Sequence, residues 1–197
     1  MEKTQVQRLA KTLKLLVTIL LACNVIALLL VPVMVINSPG GLFQFLEDRV
    51  LHLANIRPYG EDDIFVPVIF VALAYWGEVW KDWAWAFYTV FLFFCGCCTA
   101  AILRQARRIL DTVLEGNPFQ RANAVSMRRA AVCCWGIGAA ALVRLTVELL
   151  WLRATAPLYT YNTLFIPVFL MAGLLFLVMS ALFRQAAELK EDQDLTI

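Results

Sequence analysis

The chain of 197 residues is 61% hydrophobic and 16% charged, with a mean hydropathy of +0.73 and a net charge of +2. Ordinary soluble domains are about 45–50% apolar and about 25% charged, so this composition excludes them. The near-neutral total charge says little about partners, and we expect no direct binding of nucleic acid.

Four long apolar stretches predict membrane-spanning helices, because each approaches the roughly 20 residues needed to cross a bilayer. They are residues 15–36, 87–103, 130–152 and 164–183. Four such spans leave no room for a sizeable soluble domain beside them. We therefore predict an all-α polytopic membrane protein, a four-helix transmembrane bundle that forms a single membrane domain over residues 1–197.

The first stretch follows Lys3, Arg8, Lys11 and Lys14, and in this respect it resembles a secretory signal. Its apolar run of about 22 residues exceeds the roughly 7–15 residues of a signal sequence. Residues 37–40 also lack a small-x-small cleavage pattern. We therefore expect the run to be retained as the first span.

Basic and acidic residues lie on opposite sides of the second span. Segment 104–129 contains six arginines and two acidic residues, whereas segment 37–85 contains seven acidic and three basic residues. Short loops rich in Lys and Arg stay in the cytoplasm. We therefore expect segment 104–129, the tail 184–197 and both termini to be cytoplasmic. Segment 37–85 is then an external helical cap, and the protein lies in a bacterial inner membrane.

The external segment contains two stretches of helical character. Residues 42–53 have an apolar face typical of a helix that lies on the membrane interface. Residues 64–79 are apolar enough to suggest a fifth span. They are short for a hydrocarbon core of about 30 Å, and a fifth span would place the arginines outside. We predict an external or re-entrant helix.

Aromatic residues cluster where the predicted spans should meet the outer headgroups, a depth that amphipathic rings favour. They are Trp80, Trp83, Trp85 and Tyr88 before the second span, and Trp151, Tyr159 and Tyr161 between the third and fourth.

Segment 104–129 is expected to be helical at both ends and to form an elbow at 116–118. Apolar residues continue the helical periodicity of the second span as far as Leu114. Gly116 can end that helix, because glycine accepts a left-handed conformation. Asn117 then has the character of an N-cap, with Pro118 at the first helical position and Gln120 closing a capping box.

The elbow sequence Gly116-Asn117-Pro118-Phe119-Gln120-Arg121-Ala122-Asn123 and the ending of the chain, residues 182–197, are informative together. They resemble an uncharacterised bacterial family of four-span inner-membrane proteins, classed as a domain of unknown function. The family pattern is similar to G-x-P-F-x-x-x-N in the central loop and to a terminal L-T-[IV], here Leu195-Thr196-Ile197. Segment 64–85 is longer and more apolar than the family pattern.

This resemblance implies the four-span architecture but no activity, substrate or cofactor. Family members often resemble products of operons that also encode a small helix-turn-helix regulator. The resemblance therefore implies a cytoplasmic signalling partner.

Arg144 and Glu148 stand one helical turn apart in the outer half of the third span, a spacing that permits mutual pairing. A bare charge at such a depth costs about 2.5–3.5 kcal/mol. Two interpretations stay open. The residues form an internal ion pair that reaches toward the outer interface, or they join Asn24 of the first span in an interior polar site for a ligand or ion.

Common catalytic arrangements are missing from the sequence. His52 is the only histidine and lies in the external segment, so no Ser-His-Asp or Cys-His set can form in the spans. The six cysteines lie in predicted spans, where we expect packing; thiolate ligation of a metal is the alternative. We therefore expect no enzymatic activity, no cofactor and no metal site.

Small residues four positions apart let helices approach closely, either within the bundle or in a homo-oligomer. Two such pairs are Gly96 with Ala100 and Gly136 with Ala140.

Our leading hypothesis is a non-enzymatic membrane protein that engages a cytoplasmic protein partner, in its sharpest version a small DNA-binding regulator. The acidic tail either folds back on the arginine segment or presents its last residues to that partner. The candidate contact residues are Arg104, Arg107, Arg108, Pro118, Phe119, Asn123, Arg128, Arg129, Leu195, Thr196 and Ile197. The alternative hypothesis is a small transporter or ligand-binding membrane protein that uses the interior polar site. Membrane lipids contact the arginines in either case.

Overall fold

A computed structural model describes residues 2–36, 68–152 and 161–194, and within these ranges the chain is helical and contains no strand. The helices are α1 (Glu2–Ile36), α2 (Val68–Glu78), α3 (Trp83–Leu114), α4 (Arg121–Leu152) and α5 (Tyr161–Asp194), with a short 3-10 helix at Val79–Lys81. The predicted all-α class is confirmed. The stretch 42–53 lies outside the described residues.

Four of the helices, α1, α3, α4 and α5, are long and apolar enough to cross a membrane. With 32 to 35 residues each, they extend about 50 Å, well beyond a hydrocarbon core of about 30 Å. The four predicted spans are therefore parts of longer helices. Much of the segment predicted as a cytoplasmic loop continues α3 and α4, and the described part of the predicted tail continues α5.

Helix α4 is the most enclosed of the four. In the most apolar 18-residue stretch of α4, 33% of the residues are buried, whereas the corresponding share is 6% in α3 and in α5. Large apolar side chains such as Val90, Leu142 and Leu175 are more than half exposed. Such exposure is costly in water but suits a helix face that contacts lipid acyl chains. Helix α4 is thus the most enclosed of the four, and the exposed apolar side chains of α3 and α5 suit contact with lipid.

The chain divides into two compact units, residues 26–93 and residues 1–25 with 94–197. In the first, Trp76 of α2 contacts both neighbouring helices. Its indole Nε1 donates a hydrogen bond of 3.2 Å to the backbone carbonyl of Leu29 on α1. Its ring also meets Phe93 of α3 edge to face, with centroids 5.7 Å apart. Trp76 therefore attaches α2 to α1 and α3.

The described helix α2, Val68–Glu78, is shorter than a membrane span, and residues 37–67 before it lie outside the described ranges. Its 11 residues extend about 16 Å, roughly half of the hydrocarbon thickness. The 3-10 helix that follows contains Trp80, whose side chain is exposed like that of Trp83. Whether α2 is external or re-entrant stays a prediction.

In the second unit, α4 packs antiparallel against both α3 and α5. A methyl group added at Gly136 of α4 would meet the ring of Phe94 on α3 at 3.5 Å and Cys98 Sγ at 3.9 Å. On the other side of α4, Ser180 Oγ of α5 donates a hydrogen bond of 2.8 Å to the carbonyl of Ala124. The small residue Gly136 thus serves a contact within the chain, as its spacing suggested.

Candidate interaction surface at the arginine-rich end

The end of α3 is closed by its own backbone. Gly116 has a φ of +79° and donates from its N–H to the carbonyl of Val113, at 3.1 Å. The N–H of Asn117 bonds to the carbonyl of Thr112, also at 3.1 Å. These two bonds with a left-handed glycine form a Schellman motif, which satisfies carbonyls at the end of a helix. The prediction that Gly116 ends the helix is confirmed.

The predicted start of the next helix at Pro118 is wrong, because α4 begins at Arg121. Asn117 does not act as the cap: its side-chain oxygen accepts a hydrogen bond of 2.6 Å from Lys190 Nζ on α5. Gln120 does not close a capping box, and its backbone carbonyl instead accepts from the N–H of Asn123, at 3.0 Å. The contact with Lys190 thus occupies the side-chain oxygen of Asn117 that was expected to cap the helix.

Asn123 holds the elbow together from within. Its side chain is 2% exposed, and its Nδ2 donates to the carbonyl of Pro118 at 2.7 Å and to Thr112 Oγ1 at 2.6 Å. These bonds join the end of α3, the turn and the first residues of α4. The amide hydrogens of Asn123 are therefore used inside the chain. The residue is badly placed for the partner contact expected from the sequence.

The last three turns of α5 lie along the elbow. Arg121 forms an ion pair of 2.7 Å with Glu191, and the rings of Phe119 and Phe183 have centroids 5.9 Å apart. Ala187, between these contacts on α5, is only 2% exposed. Of the two arrangements expected for the acidic tail, its described part therefore folds back on the elbow. Leu195, Thr196 and Ile197 lie outside the described residues.

Five arginines near the elbow have exposed side chains: Arg104, Arg107, Arg108, Arg128 and Arg129. Within the described part of the chain none of them forms an ion pair, whereas Arg121, Arg144 and Arg184 each do. Thr112 of α3 contacts Asn123 of α4, and the two helices are antiparallel. Measured along the helix axes from this contact, Arg104 and Arg129 therefore lie within about one helical turn of each other.

Phe119 directly follows the elbow, next to the partly exposed Pro118. Its apolar ring is 49% exposed. We call these five arginines with Phe119 the arginine surface.

The pair on the third span forms as its spacing permits. Arg144 Nε lies 2.7 Å from Glu148 Oε1, and the two side chains are 19% and 12% exposed. Arg144 is 21 residues from Asn123, or about 31 Å along α4 from the elbow. This pair is therefore a mostly buried charge pair far from the arginine surface.

Asn24 is not brought to this pair. Lys14 of α1 contacts Asp111 of α3 at 2.6 Å, which places Lys14 at the height of the elbow. Asn24 is ten residues farther along α1, or about 15 Å from that height, so Arg144 lies about another 15 Å beyond it. The side-chain oxygen of Asn24 is buried and accepts no hydrogen bond from the described residues.

The cysteines are all free thiols. Cys98 of α3 and Cys133 of α4 are in hydrogen-bonding contact across the interface of these helices. Among the residues in the described ranges, no group of three or more His, Cys, Asp or Glu side chains is placed to hold a metal ion. Cys98 lies at the interface of α3 and α4, whereas Cys23 and Cys97 are exposed.

Two contacts between helices were not predicted from the sequence. The ion pair of Lys14 with Asp111 joins residues that are far apart in the chain. The seat of the Trp135 ring against Gly173 joins α4 to α5. The only sequence signal for the first was the regular spacing of cations before the first span, and the second had none.

Comparison with known proteins supplies a family. The sequence profile described as "Protein of unknown function (DUF2975)" matches residues 60–197, which is more than half of the chain. No curated protein and no solved structure matches.

Proposed function

Since the chain belongs to the DUF2975 family of proteins of unknown function, its activity has to be inferred from its own residues, and we propose that it is a non-enzymatic membrane protein that binds a cytoplasmic protein. The contact is the arginine surface. The single observation that carries this proposal is that its five arginines are exposed and form no ion pair within the described residues, while Arg121 and Arg184 nearby are paired.

Orientation in the membrane alone does not require this arrangement. The positive-inside rule counts Lys and Arg equally and is indifferent to their exact positions. Here Arg104, Arg107 and Arg108 follow one another at helical spacing on one face of α3. Their guanidinium groups are planar and can each engage a carboxylate with two parallel hydrogen bonds. The arrangement therefore favours a protein with an acidic surface.

The exposed ring of Phe119 supports a protein rather than a purely electrostatic partner. Aromatic and arginine side chains are both enriched in protein–protein interfaces. The sharpest version of the proposal is a small DNA-binding regulator held at the membrane through an acidic face, as the family resemblance suggests. In this proposal the arginine-rich end faces the cytoplasm of a bacterium.

The test is site-specific photocrosslinking in native membranes. A photoreactive residue replaces Phe119 in one variant, and in the control it replaces Val132, which is 60% exposed on the apolar part of α4. We expect one cytoplasmic protein to be crosslinked from position 119 and not from 132. A periplasmic-reporter fusion after Ile197 checks the orientation independently.

A charge-preserving variant separates partner binding from membrane orientation. Arg107→Lys with Arg108→Lys keeps both positive charges but removes the planar guanidinium groups. Crosslinking from position 119 should fall several-fold while the reporter result stays the same. Undiminished crosslinking in this variant, or identical products from positions 119 and 132, would contradict the proposal.

A second function, a small ion or ligand transporter, is favoured by the Arg144–Glu148 pair. Mostly buried ionisable pairs within spans often mark ion or proton pathways. Purified protein in liposomes with an internal pH-sensitive dye would show proton flux under an imposed pH gradient, and Glu148→Gln would abolish it. Flux no greater than in empty liposomes would exclude proton transport.

A further inference from the structure

An open groove lies beside the first turns of α1, at the same end as the elbow. Its volume is about 840 Å³. This is within the range of about 300–1,000 Å³ that is usual for small-molecule sites. Its walls are formed by Arg8, Lys11, Thr12, Lys14, Leu15, Thr18 and Leu114.

Three cations stand along the groove at positions 8, 11 and 14, so they recur about once per helical turn. Lys14 is neutralised by Asp111 at 2.6 Å. Arg8 and Lys11 are exposed, and within the described ranges neither forms an ion pair. Two positive charges on the walls of the groove are therefore unpaired as far as the described residues go.

The other polar groups of the walls are already satisfied. Thr12 Oγ1 donates to the carbonyl of Arg8 at 3.1 Å, and Thr18 Oγ1 donates to that of Lys14 at 2.8 Å. Leu15 and Leu114 supply apolar surface. A ligand that fits must therefore combine negative charge at the height of residues 8 to 11 with apolar surface beyond Lys14.

The position of the groove relative to the membrane indicates which class of ligand it can bind. Lys14 directly precedes the apolar run 15–36, so the cations lie where the phosphates of one leaflet lie and Leu15 lies at the start of the hydrocarbon. This holds whichever side of the membrane the end faces. An anionic phospholipid has a phosphodiester at the first depth and methylene groups at the second.

We propose that this groove is a binding site for the headgroup of an anionic phospholipid, with Arg8 and Lys11 on the phosphate and the upper acyl chain along Leu15. The site is separate from the arginine surface and does not depend on the proposed function. Asp111 limits its affinity, because it holds Lys14 away from the ligand.

The experiment measures binding of phosphatidylglycerol and phosphatidylcholine to the purified protein by native mass spectrometry from detergent. Each cation near an anionic headgroup contributes about 1 kcal/mol, so Arg8→Gln with Lys11→Gln should weaken phosphatidylglycerol binding roughly 25-fold. The matched control, Arg121→Gln with Arg184→Gln, removes the same charge from side chains outside the groove that are already paired with Glu191 and Glu188, and it should change binding less than about threefold.

Asp111→Asn provides a gain-of-function test that does not depend on weakening the protein. It frees Lys14 and should strengthen phosphatidylglycerol binding roughly fivefold. Three results would overturn the proposal: equal losses in the two double variants, phosphatidylcholine binding as tight as phosphatidylglycerol, or no gain in Asp111→Asn. Competition with inorganic phosphate distinguishes the sources of the phosphate group, and full displacement at millimolar phosphate would assign the groove to a soluble anion instead.

Discussion

The indole ring of Trp135 on α4 occupies the space that a methyl group on Gly173 of α5 would need. Gly173 is buried, and its missing side chain lets the large ring lie directly on the backbone of α5. Close approach of this kind is how helices gain packing energy in lipid, where water exclusion gives no driving force. The contact joins the most buried helix to its neighbour.

Gly173→Ala should therefore destabilise the protein by about 1–3 kcal/mol, because the added methyl must displace the Trp135 ring. Gly138→Ala is the matched control on the facing helix. Its methyl would lie 3.7 Å from the Leu170 side chain, an ordinary contact, and it should be neutral. Thermal unfolding in detergent measures both. Equal effects would mean that the ring moves aside freely.

Asn123→Ala should loosen the elbow, because it leaves Thr112 Oγ1 and the Pro118 carbonyl without their common donor. Losing a buried donor costs about 1–3 kcal/mol. Asn117→Ala removes only the exposed bond from Lys190 and should cost less than about 1 kcal/mol. Hydrogen exchange over residues 115–123 reports the difference. Protection that is the same in both variants would contradict the internal role of Asn123.

The last three turns of α5, residues 183–194, are here called the α5 extension. Their docking on the elbow should depend on Ala187 rather than on the ion pairs. Exposed pairs such as Arg121 with Glu191 contribute about 0–1 kcal/mol. Ala187→Glu places a charge where only 2% of the side chain is exposed and should release the extension, raising proteolysis near residue 187 several-fold. Glu191→Gln should leave cleavage almost unchanged. The reverse order of sensitivity would show that charge holds the extension.

The Arg144–Glu148 pair should respond as a unit. Glu148→Gln removes the carboxylate that lies 2.7 Å from the mostly buried Arg144 guanidinium, and breaking such a pair costs about 3–5 kcal/mol at fully buried sites and less here. Arg144→Met with Glu148→Met replaces both charges by apolar groups and should regain most of the lost stability. Thermal unfolding of the single and double variants decides this. A double variant no more stable than Glu148→Gln would indicate other essential contacts of the pair.

Local patterns in the sequence were sufficient for the spans and for the glycine that ends α3. A span is recognised by its length and apolarity, and Gly116 by its own backbone freedom, so neither needs knowledge of distant residues. The start of α4 was predicted three residues early because Asn117, an apparent cap, is engaged by Lys190, which is far away in the chain.

The sequence by itself thus determined that this is an all-α membrane protein with four spans and an arginine-rich end, because the thickness of the bilayer acts on each stretch separately. Only the tertiary structure decided which side chains meet. It turned Asn123 inward, seated Trp135 on Gly173, paired Lys14 with Asp111 and separated Asn24 from Arg144. These contacts depend on how far the helices are shifted along one another. That shift is set by the packing of whole helix surfaces, so it cannot be predicted from any single segment of the sequence.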